Sequence, residues 1–216
     1  MNSYVQALAW AIDDGRALHF DLLGRGAHFF RTLLVQTRSE PVLLVQDLMW
    51  NTIITGWQDR HRQHDVVEFA SFINDKHKLP LVEGTWEART FLHGEGLIKD
   101  TGHSAQPLLL HMISAPPGLA PICQVQSLVD SWHAQEDVHA FTVLPPVLML
   151  QLGRFHNADG RINKLHTHVE VDEELWIPLF NGAGIQDTTK CYYALSGDSG
   201  AATTIDRRFR AVKHRT

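Results

Sequence analysis

The chain has 216 residues, 44% of them hydrophobic and 20% charged, which excludes a disordered, collagenous or coiled-coil polypeptide and suits one large packed domain better than two small ones. Lysine and arginine number 19 against 24 acidic residues, a net charge of −5, so the basic footprint by which proteins grasp phosphate backbones is missing and no nucleic-acid partner is expected. The longest apolar stretch, 143–150, is broken by Pro145 and Pro146 and falls short of the roughly 20 residues that a membrane span requires, so no membrane partner is expected either.

In chain order, Val5, Leu8 and Ile12 recur at helical spacing, and Leu18, Leu22, Phe29, Phe30, Leu33 and Leu34 form a second apolar face before Pro41. Residues 1–12 hold neither the basic head nor the apolar middle of a secretory signal, which points to an intracellular, reducing compartment, cytoplasmic or nuclear. Leu43, Leu44, Leu48, Ile53 and Ile54 predict a third helix closed by Gly56. Val66, Phe69, Ala70 and Ile73 fall at i, i+3, i+4 and i+7 behind a D-x-x-E start at Asp65 and Glu68, predicting a fourth.

After Pro80 the pattern changes. Residues 85–92, 107–113, 146–156, 162–171, 190–196 and 203–212 are short, β-branched or apolar, and bounded by Gly, Pro, Asn and Asp, and they predict strands. A helical island over 124–135, with Val125, Leu128, Val129 and Trp132 on one stripe, interrupts them. Helices followed by strands give an α+β class with a mostly antiparallel sheet, because the connections look too short for repeated helical crossovers.

Four islands in this order carry a resemblance. Met1-Asn2-Ser3 with Gln6-Ala7-Leu8 is similar to the second half of the box N-T-C-aromatic-M-N-S-x-x-Q-A-L. Residues Gln63-His64-Asp65-Val66-Val67-Glu68-Phe69 are similar to the helix start Q-x-D-A-x-E-F, and residues 144–155, ending in Arg154 and Phe155, to the strand L-P-x-V-L-x-x-x-L-x-R-F. Tyr193-Ala194-Leu195, Ser199-Gly200 and 207–212 are similar to the strand pair that ends in H-S-G and G-H-Y. Together they resemble the ubiquitin-specific protease family, papain-like cysteine peptidases that cut after the ubiquitin C-terminus.

The resemblance spans residues 1 to about 212 and implies a single papain-like domain over 1–216, with a helical thumb over 1–79 and an antiparallel β palm and fingers over 80–216. It also implies ubiquitin or a ubiquitinated protein as partner. Gln63, Asp65, Glu68 and Phe155 are the implied contacts to the ubiquitin tail, which contains arginines; a carboxylate can bond a guanidinium in two places. The departures fall on the catalytic groups. The cysteine should stand two residues before Met1, the position of the base histidine is taken by Arg208, and the residue that orients this histidine would come after Thr216. A thiolate needs a depressed pKa and a base that later returns a proton, and arginine, protonated at neutral pH, cannot shuttle one. The sequence therefore predicts a ubiquitin binder that does not cleave, with a fragment of an active deubiquitinase and a non-catalytic scaffold as the alternatives.

The same residues have plainer uses. Ser3 with Gln6 is a capping box, and Asp65 with Glu68 satisfies orphan N–H groups at a helix start. Phe155 could simply pack in a core. Cys123 and Cys191 are too few for a disulfide framework or a four-thiolate zinc site, and Cys191, in a strand pattern, reads as a small hydrophobe. His61 with His64, and His166 with His168, have metal-compatible spacing but no third ligand, so neither metal nor cofactor is expected. The zinc ribbon frequent in the family's fingers would have only Cys123 to draw on between 84 and 140.

Overall fold

A computed structural model of the chain describes residues 32, 35–36, 47–57, 65–92, 96–99, 103–104, 108–112, 122–158, 160–182, 188–196 and 208–211. It divides into two compact units, Met1–Glu83 with Ser196–Arg208, and Gly84–Leu195 with Phe209–Thr216. The helices predicted over 1–12 and 18–34 lie outside the described residues, apart from the helical Thr32.

The first unit contains α1 (Asp47–Ile53), α2 (Val66–His77) and a 3-10 turn at Pro80–Val82. Asp65 caps α2 as its D-x-x-E start predicts: its backbone is extended, and its carboxylate accepts the Val67 N–H at 2.7 Å. The predicted apolar stripe is buried at Phe69, Ala70 and Ile73, together with Ile53 and Ile54. Three carbonyls at the end of α1, those of Thr52, Ile53 and Thr55, accept hydrogen bonds from the Lys76 ammonium at 2.9, 2.9 and 2.8 Å. These are groups that a helix C-terminus leaves without internal partners, so one lysine on α2 caps α1 and fixes the two helices together. Gly56, at φ 91°, makes the left-handed turn after α1 that other residues resist. The Trp57 ring then packs edge-on to Phe69 at 5.6 Å and against Phe72 at 5.0 Å.

The second unit is sheet-rich. Its described strands are β1 (Thr85–Leu92), β2 (Gly96–Lys99), β3 (His103–Ser104), β4 (Leu108–His111), β5 (Ile122–Gln124), β6 (Val138–Val143), β7 (Val147–Leu148), β8 (Leu150–Gly153), β9 (Phe155–Ala158), β10 (Arg161–Lys164), β11 (His168–Glu170), β12 (Glu174–Phe180), β13 (Thr188–Ser196) and β14 (Arg208–Ala211), with α3 (Val125–His133) after β5. The main sheet runs β2-β1-β6-β12-β13-β14-β7, with β3 beside β1; β9–β10, β5–β11 and β4–β8 are separate pairs. The face of α3 formed by Leu128, Val129 and Trp132 packs into a core shared with Phe141, Ile177 and Tyr193. Tyr193 is fully buried, and its hydroxyl donates to the Pro145 carbonyl at 2.7 Å, which ties β13 to the turn before β7. At the entry to β1, a methyl on Gly84 would lie 2.6 Å from Pro145 Cδ, so this close approach requires a residue without Cβ.

Three features differ from the sequence expectation. Pairing is antiparallel through most of the main sheet, but β6–β12, β5–β11 and β4–β8 are parallel. Strands distant in sequence are neighbours here, and the stretch between them, including α3 for β4–β8, supplies the crossover length that parallel pairing needs. The continuous strand predicted over 146–156 is three strands with different partners: β7 with β14, β8 with β4, and β9 with β10. Likewise 162–171 divides into β10 and β11.

Candidate functional site

Asp65 and Glu68 stand three residues apart on the first turn of α2, both exposed, and belong to the first unit. Asp65 uses one carboxylate oxygen as the helix cap. Gln63, like His61 and His64, lies outside the described residues. Phe155 belongs to the second unit and opens β9 with 67% of its surface exposed, so the packing use considered for it does not hold. Its ring extends from a hairpin whose register sets Phe155 opposite Lys164 and Asn157 opposite Ile162. Alternation along strands therefore gives Phe155 and Ile162, the latter 77% exposed, the same hairpin face.

Arg208 opens β14, which runs antiparallel to β7 with Phe209 opposite Leu148 and Arg210 opposite Val147. Both cysteines lie in strands. Burial pushes the Cys123 thiol up from its ordinary pKa, and pushes the Cys191 thiol up against the opposing effect of a hydrogen bond with Thr189. An activated cysteine nucleophile needs the opposite shift. The zinc ribbon implied for the fingers does not fit this chain: Cys123 is the one cysteine between 84 and 140, and among the described residues no three His, Cys, Asp or Glu side chains are grouped to hold a metal ion. His166 and His168 are exposed, on either side of the buried Thr167.

Sequence reasoning missed an open groove of about 470 Å³ lined by Gln124, Gln126, Asp172, Glu173, Glu174 and Trp176. The Gln126 side chain acts there as a substitute strand partner: its Oε1 accepts the Trp176 N–H at 2.8 Å, and its Nε2 donates to the Trp176 carbonyl at 3.1 Å and to Asp130 at 2.9 Å. The Trp176 ring is 43% exposed and meets Tyr192 edge-on at 5.0 Å. A hydrogen bond to Glu174, then desolvation and the nearby Glu174 and Glu173 charges, push the Tyr192 phenol up to about 12. The groove offers carboxylates and an aromatic surface. The run Asp172-Glu173-Glu174 before Trp176 was the available sequence signal.

No protein-family model and no curated protein sequence matches the chain. Among solved structures it is similar to the Ubp8-Sgf11-Sgf73-Sus1 SAGA DUB module, with a TM-score of 0.58 and 16% identity over 99% of this chain. It is also similar to that module bound to ubiquitin aldehyde, with a TM-score of 0.59 and 15% identity over 99% of this chain. It spans 65% and 64% of those two matched chains, under two thirds of their length. At such identities the likeness is one of fold: the chain has a mixed α and β fold similar to the USP domain of Ubp8, rich in sheet and with few helices among the described residues. Among the described residues no helix is long and apolar enough to cross a membrane.

Proposed function

We propose that this chain is a ubiquitin-specific-protease-like domain that holds ubiquitin, or a ubiquitinated protein, without cutting it. The observation that carries the reading is the likeness in fold, over 99% of the chain, to a deubiquitinating module also solved with ubiquitin aldehyde. In this reading residues 1–79 correspond to the thumb and 80–216 to the palm and fingers; of the quoted motifs, one falls on the capped start of α2 and another runs through β7 and β8 to the start of β9. Asp65 and Glu68 supply carboxylates for the arginines of the ubiquitin tail. Capping does not exhaust Asp65, since an ionised carboxylate offers about four acceptor sites. Gln63 precedes that helix start in the same motif, and Phe155 supplies an apolar contact.

The non-cleaving half of the proposal is supported by the chemistry of the available groups. Cys123 and Cys191 are thiols whose burial disfavours the thiolate, and the residue aligned with the base histidine is Arg208, which holds its proton at neutral pH. An intracellular, reducing compartment suits both, as they are unpaired. The test is two-armed. Calorimetric titration with monoubiquitin is expected to give a saturable heat, and a ubiquitin probe with a thiol-reactive C-terminus is expected to form no adduct. An adduct at either cysteine would make the chain a peptidase, and absent heat at high micromolar concentration would make it a scaffold.

A further inference from the structure

The hairpin that presents Phe155 is a single pair of strands among the described residues. Strands β9 and β10 pair with each other and, among the described residues, with no third strand. Two-stranded hairpins are marginal in water unless something else fixes them, and the exposure of Phe155 and Ile162 shows that burial of these side chains is not what does so.

The restraint lies at the hairpin's base. Arg154 immediately precedes β9 and Leu165 immediately follows β10, and the Leu165 N–H donates to the Arg154 carbonyl at 2.7 Å. The Arg154 guanidinium then reaches across the same junction, its Nη1 donating to the Thr167 carbonyl at 2.9 Å and more weakly to the Leu165 carbonyl at 3.5 Å. Thr167 is buried and leads directly into β11, which pairs with β5 at the entry to α3. On the other side of Arg154, Gly153 ends β8 against β4, where its carbonyl accepts the Met112 N–H at 3.3 Å. One cationic side chain thus joins to the packed part of the second unit both legs of a hairpin that, among the described residues, pairs with no third strand. A bond with an ionised donor is stronger than a neutral one, and the rigid planar guanidinium loses less conformational freedom per bond than a lysine's flexible ammonium.

We infer that Arg154 is a positioning residue for ubiquitin recognition: it does not touch the partner, but fixes the hairpin so that Phe155 stands ready for contact. This rests on the binding reading above. The experiment compares Arg154→Ala, Arg154→Lys, Phe155→Ala and the double variant by monoubiquitin calorimetry, by amide hydrogen exchange over 156–163 and by thermal melting. Arg154→Ala is expected to speed hairpin exchange roughly tenfold while the main transition stays in place, and to weaken ubiquitin binding about as much as Phe155→Ala does. The double variant is expected to bind no more weakly than Phe155→Ala, because a loosened hairpin has no ring left to misplace. Arg154→Lys should recover part of both losses, and it carries the test should Arg154→Ala fail to fold. Unchanged hairpin exchange in Arg154→Ala, or full affinity there beside a weakened Phe155→Ala, overturns the inference. If Phe155→Ala binds as the parent does, it is the binding reading that fails, and Arg154 then has nothing to position.

Discussion

Phe155→Ala separates a recognition surface from a structural one. A phenylalanine side chain can bury on the order of 200 Å². With 67% of Phe155 exposed, roughly 130 Å² remains for a partner to cover. At ~25 cal/mol per Å² that area corresponds to ~3 kcal/mol as an upper limit. Ordering and imperfect coverage remove about half, leaving ~1.5 kcal/mol, or about a tenfold loss of affinity. The folded chain should hardly register the change, because few of the ring's contacts are internal: a stability loss under ~0.5 kcal/mol is expected. Monoubiquitin calorimetry and urea unfolding on the same preparations read the two effects. Unchanged affinity refutes the reasoning, and so does a fall in stability above ~1 kcal/mol, which would make Phe155 a packing residue.

Other outcomes follow from the folded units. Lys76→Met leaves the three carbonyls at the end of α1 without their ammonium, and a loss of ~1–2 kcal/mol is expected in urea unfolding, the low end reflecting access to water. Gly84→Ala sets a methyl against Pro145 and the Val143 carbonyl, and should destabilise the second unit by ~1–3 kcal/mol, seen as a lower melting temperature. Tyr193→Phe strands the buried Pro145 carbonyl and should cost ~1–3 kcal/mol in the same assay. Burial, aided by the Lys76 charge and opposed by the hydrogen bond to the Ile53 backbone, holds the His77 pKa below its ordinary value. The unfolded chain therefore takes up this proton first on acidification. Stability is present above about pH 6.5 and declines as pH falls through that value, until the folded-state pKa is reached. Urea midpoints at pH 7.5 and 5.5 should show the decline in the parent, and less of it in His77→Gln.

Legibility in the sequence tracked how local each feature was. The start of α2 was readable because the cap at Asp65 and the spacing of Val66, Phe69, Ala70 and Ile73 are all set within nine residues, and the bounds of β1 were readable from its flanking turn residues. Two inner strands of the main sheet were not read. In β6 the consecutive buried pair Ala140 and Phe141 breaks the alternation that marks a strand, and β12 carries Pro178 in its interior behind an acidic run. The breaks near Met149 and Arg154 were invisible for another reason: each follows from a change of pairing partner, which a continuous apolar run does not encode. The same division applies to function. The motif residues Asp65, Glu68 and Phe155 are contiguous signals, whereas the groove around Trp176 draws on a helix start, a loop and a strand that only tertiary structure brings together.

Capture of the ubiquitin tail is tested most directly by titrating nitrogen-15-labelled monoubiquitin with the unlabelled chain and following its amide resonances. The account predicts saturable shifts or broadening concentrated on the C-terminal tail and its surroundings, reduced in Phe155→Ala. A ubiquitin spectrum unmoved by excess protein, or one perturbed everywhere except the tail, would contradict it.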